Sequence, residues 1–120
     1  MREKRLYRPI INLFLELGYH NVEKEAPIFR TLKTGKRVDL LFINDTKKAA
    51  VEVKMRDWEK ALFQAYLNSY FFDESYVALP QDIVNKLDFT IFEYYGVGLI
   101  AVNKKHAEIV LKPGDVSWLI

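Results

Sequence analysis

The chain has 120 residues, half of them hydrophobic and 28% charged, which suits one globular domain able to bury roughly two-thirds of its unfolded surface. It has no cysteine and two lone histidines, His20 and His106, which read as surface loop residues; disulfide frameworks, thiolate zinc sites and cysteine nucleophiles are excluded, and with neither a membrane-length apolar run nor a signal-peptide core after Met1 to Arg8, a soluble cytoplasmic domain without membrane contact is expected. The formal charge is +2 but uneven, with 14 basic against 9 acidic residues in 1–60 and 4 against 7 in 61–120; the excess suits either a polyanionic partner or a solvated basic surface.

Leu6, Ile10, Leu13, Phe14 and Leu17 recur at helical spacing, and Gly18 suits a left-handed C-terminal cap. Pro9 belongs in a first turn, so the regular helix begins near Tyr7 or Arg8. Glu25 to Leu32 reads as a first strand, Thr34-Gly35-Lys36 as a turn, and Arg37 to Ile43 as a second strand. Asn44-Asp45-Thr46 turns the chain again before a third strand, Ala49 to Met55, and the short connections predict an antiparallel meander.

Asp57 is the expected N-cap of a helix running to about Phe72. Its inner stripe is Trp58, Ala61, Leu62, Ala65, Ser69 and Phe72; Phe63, Tyr66, Leu67 and Tyr70 make it apolar nearly all round, which predicts cover on both sides. Ser75 to Leu79 is a short strand, Pro80 opens another helix, and Asp88 to Tyr95 is a further helical piece stopped by Gly96. Val97 to Val102 and Ala107 to Leu111 are two late strands, with a turn at Asn103 to Lys105. The order is α-β-β-β-α-β followed by α-β-β, a mixed α/β class.

The chemistry-bearing residues lie on the second and third strands. In Ala49 to Met55, alternation puts Val51, Val53 and Met55 on one face and Glu52 and Lys54 on the other. Asp39 is the only acid interrupting the apolar second strand. Paired strands lie about 4.8 Å apart, so Asp39 and Glu52 can reach one hard cation, and Lys54 can face the same phosphate. The same pattern is also that of a solvated strand face carrying a weak ion pair, with Asp39 capping a turn; the residues by themselves leave both readings open.

An acid on one strand, Glu-x-Lys on the next and a helix after it resemble the PD-(D/E)XK nuclease superfamily. The matching segments are Arg37-Val38-Asp39-Leu40-Leu41, Val51-Glu52-Val53-Lys54 and the helix from Asp57 to Tyr66, within a stretch from Arg2 to Pro80. The resemblance implies a restriction-endonuclease-like αβββαβ core with a mixed central sheet flanked by helices, here with a C-terminal αββ extension. The small build looks most like archaeal Holliday-junction resolvases. The resemblance further implies phosphodiester hydrolysis, usually of DNA, with magnesium or manganese on Asp39 and Glu52, Lys54 as the catalytic lysine, and Gln64 near the metal site.

This chain departs from that pattern at Val38, where many members have proline, and at Asn68, where some branches place a tyrosine four residues after the glutamine. Many members also carry an acid in the first helix. That place falls near Tyr7 here, and Glu3 and Glu25 are the candidates for a third acid. Arg2, Lys4, Arg5, Lys33, Lys36 and Arg37 would hold DNA phosphates, and a homodimer would present two sites to two strands. A non-catalytic nucleic-acid-binding or protein-interaction domain of the same fold is the alternative.

No phosphate-binding glycine loop, dinucleotide fingerprint or nucleophile elbow occurs. The aromatic run Tyr66, Tyr70, Phe71, Phe72 and Tyr76 reads as core in preference to a base-stacking platform, and Trp118-Leu119-Ile120 as an apolar end that closes the core or meets a second copy.

Overall fold

Helix α1, Tyr7–Glu16, follows a 3-10 turn at Glu3–Leu6 and begins where the sequence places it. Pro9 occupies its third position, where the missing N–H has no intrahelical partner to lose. The helix stops at Gly18, whose φ of +97° few side chains tolerate. That turn lets the Tyr19 N–H bond the Phe14 carbonyl at 3.0 Å and the Gly18 N–H bond that of Leu15 at 3.1 Å.

The computed structural model describes residues 3–28 and 36–114. The remaining elements are β1 (Asn21–Pro27), β2 (Arg37–Ile43), β3 (Lys48–Val53), α2 (Trp58–Asn68), β4 (Glu74–Pro80), α3 (Gln81–Val84), α4 (Thr90–Tyr95), β5 (Gly98–Val102) and β6 (Ala107–Leu111). The strands form one six-stranded mixed sheet in the order β1-β2-β3-β4-β5-β6. The expected meander is β1–β2–β3, antiparallel throughout; the crossovers through α2 and through α3–α4 make β3–β4 and β4–β5 parallel, and β6 returns antiparallel.

The α1 side of the sheet buries Ile10, Phe14, Leu40, Phe42, Val51, Tyr76 and Ile100, with Phe14 stacked on Phe42 at a centroid distance of 4.2 Å. The other side packs Ala61, Leu62 and Ala65 of α2, Val84 of α3 and Phe92 of α4 on Val77, Leu79 and Leu99. Together they make the helix–sheet–helix layering expected of an α/β chain. Among the described residues, no helix is long and apolar enough to cross a membrane.

Three expectations need correction. The first strand starts at Asn21 rather than Glu25, because it pairs with β2 from Asn21 opposite Ile43 to Pro27 opposite Arg37, interrupted at Glu25. Residues 29–32 of the expected strand, the turn at Thr34-Gly35, and Trp118-Leu119-Ile120 lie outside the described residues. Helix α2 ends at Asn68, not near Phe72. Single turns then carry the chain to Asp73, whose N–H bonds the Lys48 carbonyl and whose carboxylate accepts from the Lys48 N–H at 2.7 Å, fixing where β4 starts.

The third correction concerns the aromatic run. Tyr76 is core and Tyr66 and Phe72 are half-buried, but Tyr70 and Phe71 are exposed. Phe63 and Leu67 are exposed as well, so the outer face of α2 has no cover from the described residues.

Candidate active site

The register that sets Leu40 opposite Val51 puts Asp39 opposite Glu52, one step beyond the last paired residues of β2 and β3. Here the ladder changes partners. The Asp39 side chain takes the place of a backbone acceptor, its Oδ2 receiving the Val53 N–H at 2.8 Å. The Lys54 N–H turns to the other neighbour and bonds the Ala78 carbonyl of β4 at 3.1 Å. The two strands therefore part at Asp39 and Glu52, whose carboxyls act on each other through charge and a hydrogen bond.

Glu52 is only 3% exposed. Its Oε2 accepts one hydrogen bond, 2.9 Å from Asn68 Nδ2 on α2, and Asn68 is itself buried. Burial, and then the charge of Asp39, push the Glu52 carboxyl up to about 7, against the pull of Asn68 and Lys54. Burial also raises Asp39, offset by the Val53 N–H, the Lys54 ammonium and the hydrogen bond shared with Glu52. Both acids are thus held above their ordinary range by a site in want of positive charge.

Lys54 stands half-buried just past the end of β3, and its charge favours ionisation of both acids. Gln64 lies one turn before Asn68 on α2, so the two share a face. Its Oε1 is buried without a hydrogen-bond partner among the described residues. A buried acceptor without a protein partner fits an ordered water. Asp39 and Glu52 offer oxygen donors of the kind magnesium and manganese prefer. Among the described residues no group of three His, Cys, Asp or Glu side chains gathers as a metal cage.

The candidate third acids fare differently. The charge of Glu3 reaches Asp39 and Tyr7. Glu25 falls opposite Asp39 in the β1–β2 register, between the pairs Lys24–Leu40 and Ala26–Val38. Its backbone is turned to a φ of +51°, however, and its exposed carboxylate meets Lys4 Nζ at 3.9 Å. Arg37 Nη1 fixes this turn by donating to the Glu25 carbonyl at 3.0 Å.

Of the residues expected to hold DNA, Lys4, Arg5, Lys36 and Arg37 are exposed, and Arg2 and Lys33 lie outside the described residues. Lys4 lines a cleft of about 530 Å³ between α1 and β1 with Tyr7, Arg8, Ile11, Asn12, Lys24 and Glu25; Arg5, Lys36 and Arg37 lie outside that lining. His20 and His106 are exposed, as expected.

Sequence reasoning missed Asn68 as the partner of Glu52, and Tyr7, Arg8 and Lys24 as cleft residues. Asn68 carried a signal: it is a polar residue on the stripe of Ala61 and Ala65. Lys4, Arg8 and Asn12 recur every fourth residue along the first helix, the spacing of a polar face.

No family model and no curated protein matches this chain. Among solved structures, SPO1766, a protein of unknown function from Silicibacter pomeroyi, is similar in fold, with a TM-score of 0.68 and 21% identity over 95% of this chain and 73% of that one. At that identity the likeness speaks for the fold alone.

Proposed function

We propose that this chain is a divalent-metal-dependent endonuclease of the PD-(D/E)XK type that hydrolyses DNA phosphodiester bonds. The observation that carries the reading is the parting of β2 and β3 at Asp39 and Glu52, which leaves two carboxyls raised by burial beside Lys54. A purely structural strand face would be solvated, whereas Glu52 is buried with a single neutral donor.

Asp39 and Glu52 would hold magnesium, with manganese able to substitute, and the ion when bound would supply Lewis-acid polarisation of a phosphate oxygen. Asp39 is oriented for this by the Val53 N–H, and Glu52 by Asn68. Lys54 offsets the charge that builds on the scissile phosphate, or orients the water that attacks it. Gln64 Oε1 offers a neutral acceptor to that water. Two copies would present one site to each strand of a duplex; the exposed Phe63 and Leu67 of α2, Tyr70 just after it and Tyr94 of α4 are apolar surface a second copy would cover.

One observation favours the non-catalytic alternative. Tyr7 stands where the family's first-helix acid would fall, and among the described residues no third acid joins the pair. Cleavage of a labelled panel separates the readings: junction, flap, duplex, single-stranded DNA and RNA, each with magnesium, manganese or chelator, beside Lys54→Ala. The nuclease reading expects metal-dependent cutting lost in the variant. Binding without cutting of any substrate would replace it with the alternative.

A further inference from the structure

We propose that the cleft between α1 and β1 holds the nucleic-acid backbone beside the cleavage point, the Tyr7 hydroxyl donating to a phosphate oxygen and Lys4, Arg8 and Lys24 neutralising the phosphates that follow. The inference rests on the nuclease reading only in taking a phosphodiester chain as the ligand.

Three cations face one carboxylate in this cleft, so its field favours a polyanion. The volume of about 530 Å³ lies in the range of ligand-holding clefts. Tyr7 connects the cleft to the acid pair. Its ring is buried in the core under α1, it lines the cleft, and Asp39 is the charge that acts on its hydroxyl most strongly.

Burial, followed by Asp39, Glu25, Glu3 and Glu52, pushes that hydroxyl up to about 12. It therefore keeps its proton at every physiological pH and can donate. A phenolic donor lining a cationic cleft fits an anionic oxygen.

The backbone of Glu25 supports the same assignment. Non-glycine residues rarely adopt positive φ. In a regular strand Glu25 would stand beside Asp39 as a third carboxylate; at φ +51° it reaches Lys4 instead. Glu25 thus competes with phosphate for Lys4 at the lip of the cleft, which makes it a specificity-setting residue for the groove.

The test is fluorescence anisotropy of labelled 12-mer DNA, single-stranded and duplex, in chelator so that nothing is cut, across a salt series. Tyr7→Phe keeps the buried ring, and Lys24 and Glu25 are exposed, so all three variants are expected to fold, with circular dichroism as the check. Tyr7→Phe should weaken binding about tenfold with an unchanged salt slope. Lys24→Ala should weaken it and lower the salt slope by about one. Glu25→Gln should tighten it several-fold, in the range expected for a released surface ion pair.

Wild-type affinity in both Tyr7→Phe and Lys24→Ala overturns the inference, and leaves the nuclease reading standing if the wild type still cuts in magnesium. Weakened variants of a protein that binds but never cuts support the cleft and sink the nuclease. A wild type that binds no nucleic acid sinks both.

Discussion

Glu74 and Glu52 stand at opposite ends of the parallel β3–β4 ladder and show what the same side chain does in two settings. Glu74 opens β4, part-buried, and collects the Tyr76 hydroxyl at 2.9 Å, the Tyr19 hydroxyl at 3.3 Å and Lys47 Nζ at 3.4 Å. Burial, and then the charge of Glu74, raise both phenols, Tyr19 to about 12, so they remain donors to it. Glu52 has one amide and a like-charged neighbour. The first carboxylate is satisfied by the fold and ties helix α1's exit to the sheet. The second is left short of donors and positive charge, which stability alone would not select.

The largest expected effect is on chemistry. Asp39→Asn, Glu52→Gln or Lys54→Ala should each lower metal-dependent cleavage at least about a hundredfold, the scale set by loss of one preorganised charge or ligand, while circular dichroism stays unchanged. The matching change at the other end, Glu74→Gln, should leave cleavage within about twofold and lower the melting temperature instead. If Glu74→Gln abolished activity and Glu52→Gln did not, the contrast would be reversed.

The next effect is on stability against pH. Glu52 titrates at about 7 in the folded chain and near 4.5 without the fold, so the folded state binds more protons between these values. The Glu52 contribution to stability is therefore fully present below about pH 4.5, falls as pH rises towards 7, and is lost above it, a displacement worth up to roughly 3 kcal/mol. The raised Asp39 adds to the same trend. Glu52→Gln mimics the protonated acid and should flatten this loss, so urea unfolding of both proteins at pH 5 and pH 8 should show the variant gaining only at the higher pH.

A smaller effect is expected at Asn68. Removing its amide in Asn68→Ala should cost about 1–2 kcal/mol above pH 7, where Glu52 is ionised, and less at pH 5. It should also move the Glu52 titration upward, readable by carboxyl NMR. Smallest in stability is Phe63→Glu on the exposed face of α2, within about 0.5 kcal/mol of wild type, yet it should dissociate a dimer by light scattering if the second copy covers that face.

Strands β2 and β3 were legible because they are inner strands with strong apolar patterns, and once both are placed, Asp39, Glu52 and Lys54 follow from alternation and register. Strand β1 was displaced because it is an edge strand. Glu23-Lys24-Glu25 is charged throughout, with Lys24 and Glu25 exposed, and lacks the apolar alternation that marks a strand. The end of α2 was misplaced because its last residues are as apolar as its core stripe, and only the demand that β4 begin beside Lys48 sets the boundary. The Asn68–Glu52 bond depends on the phase at which α2 crosses the sheet, and the turned backbone of Glu25 on its Arg37 and Lys4 partners. Both are tertiary facts with no local signature.

The most direct test of the acid pair is calorimetric titration of manganese into the protein at pH 7 in two buffers of different ionisation heat, beside the Asp39→Asn/Glu52→Gln double variant. One ion bound with net release of protons, and no binding by the variant, is the predicted result. No binding by the wild type, or equal binding by the variant, would contradict a divalent-cation site at Asp39 and Glu52.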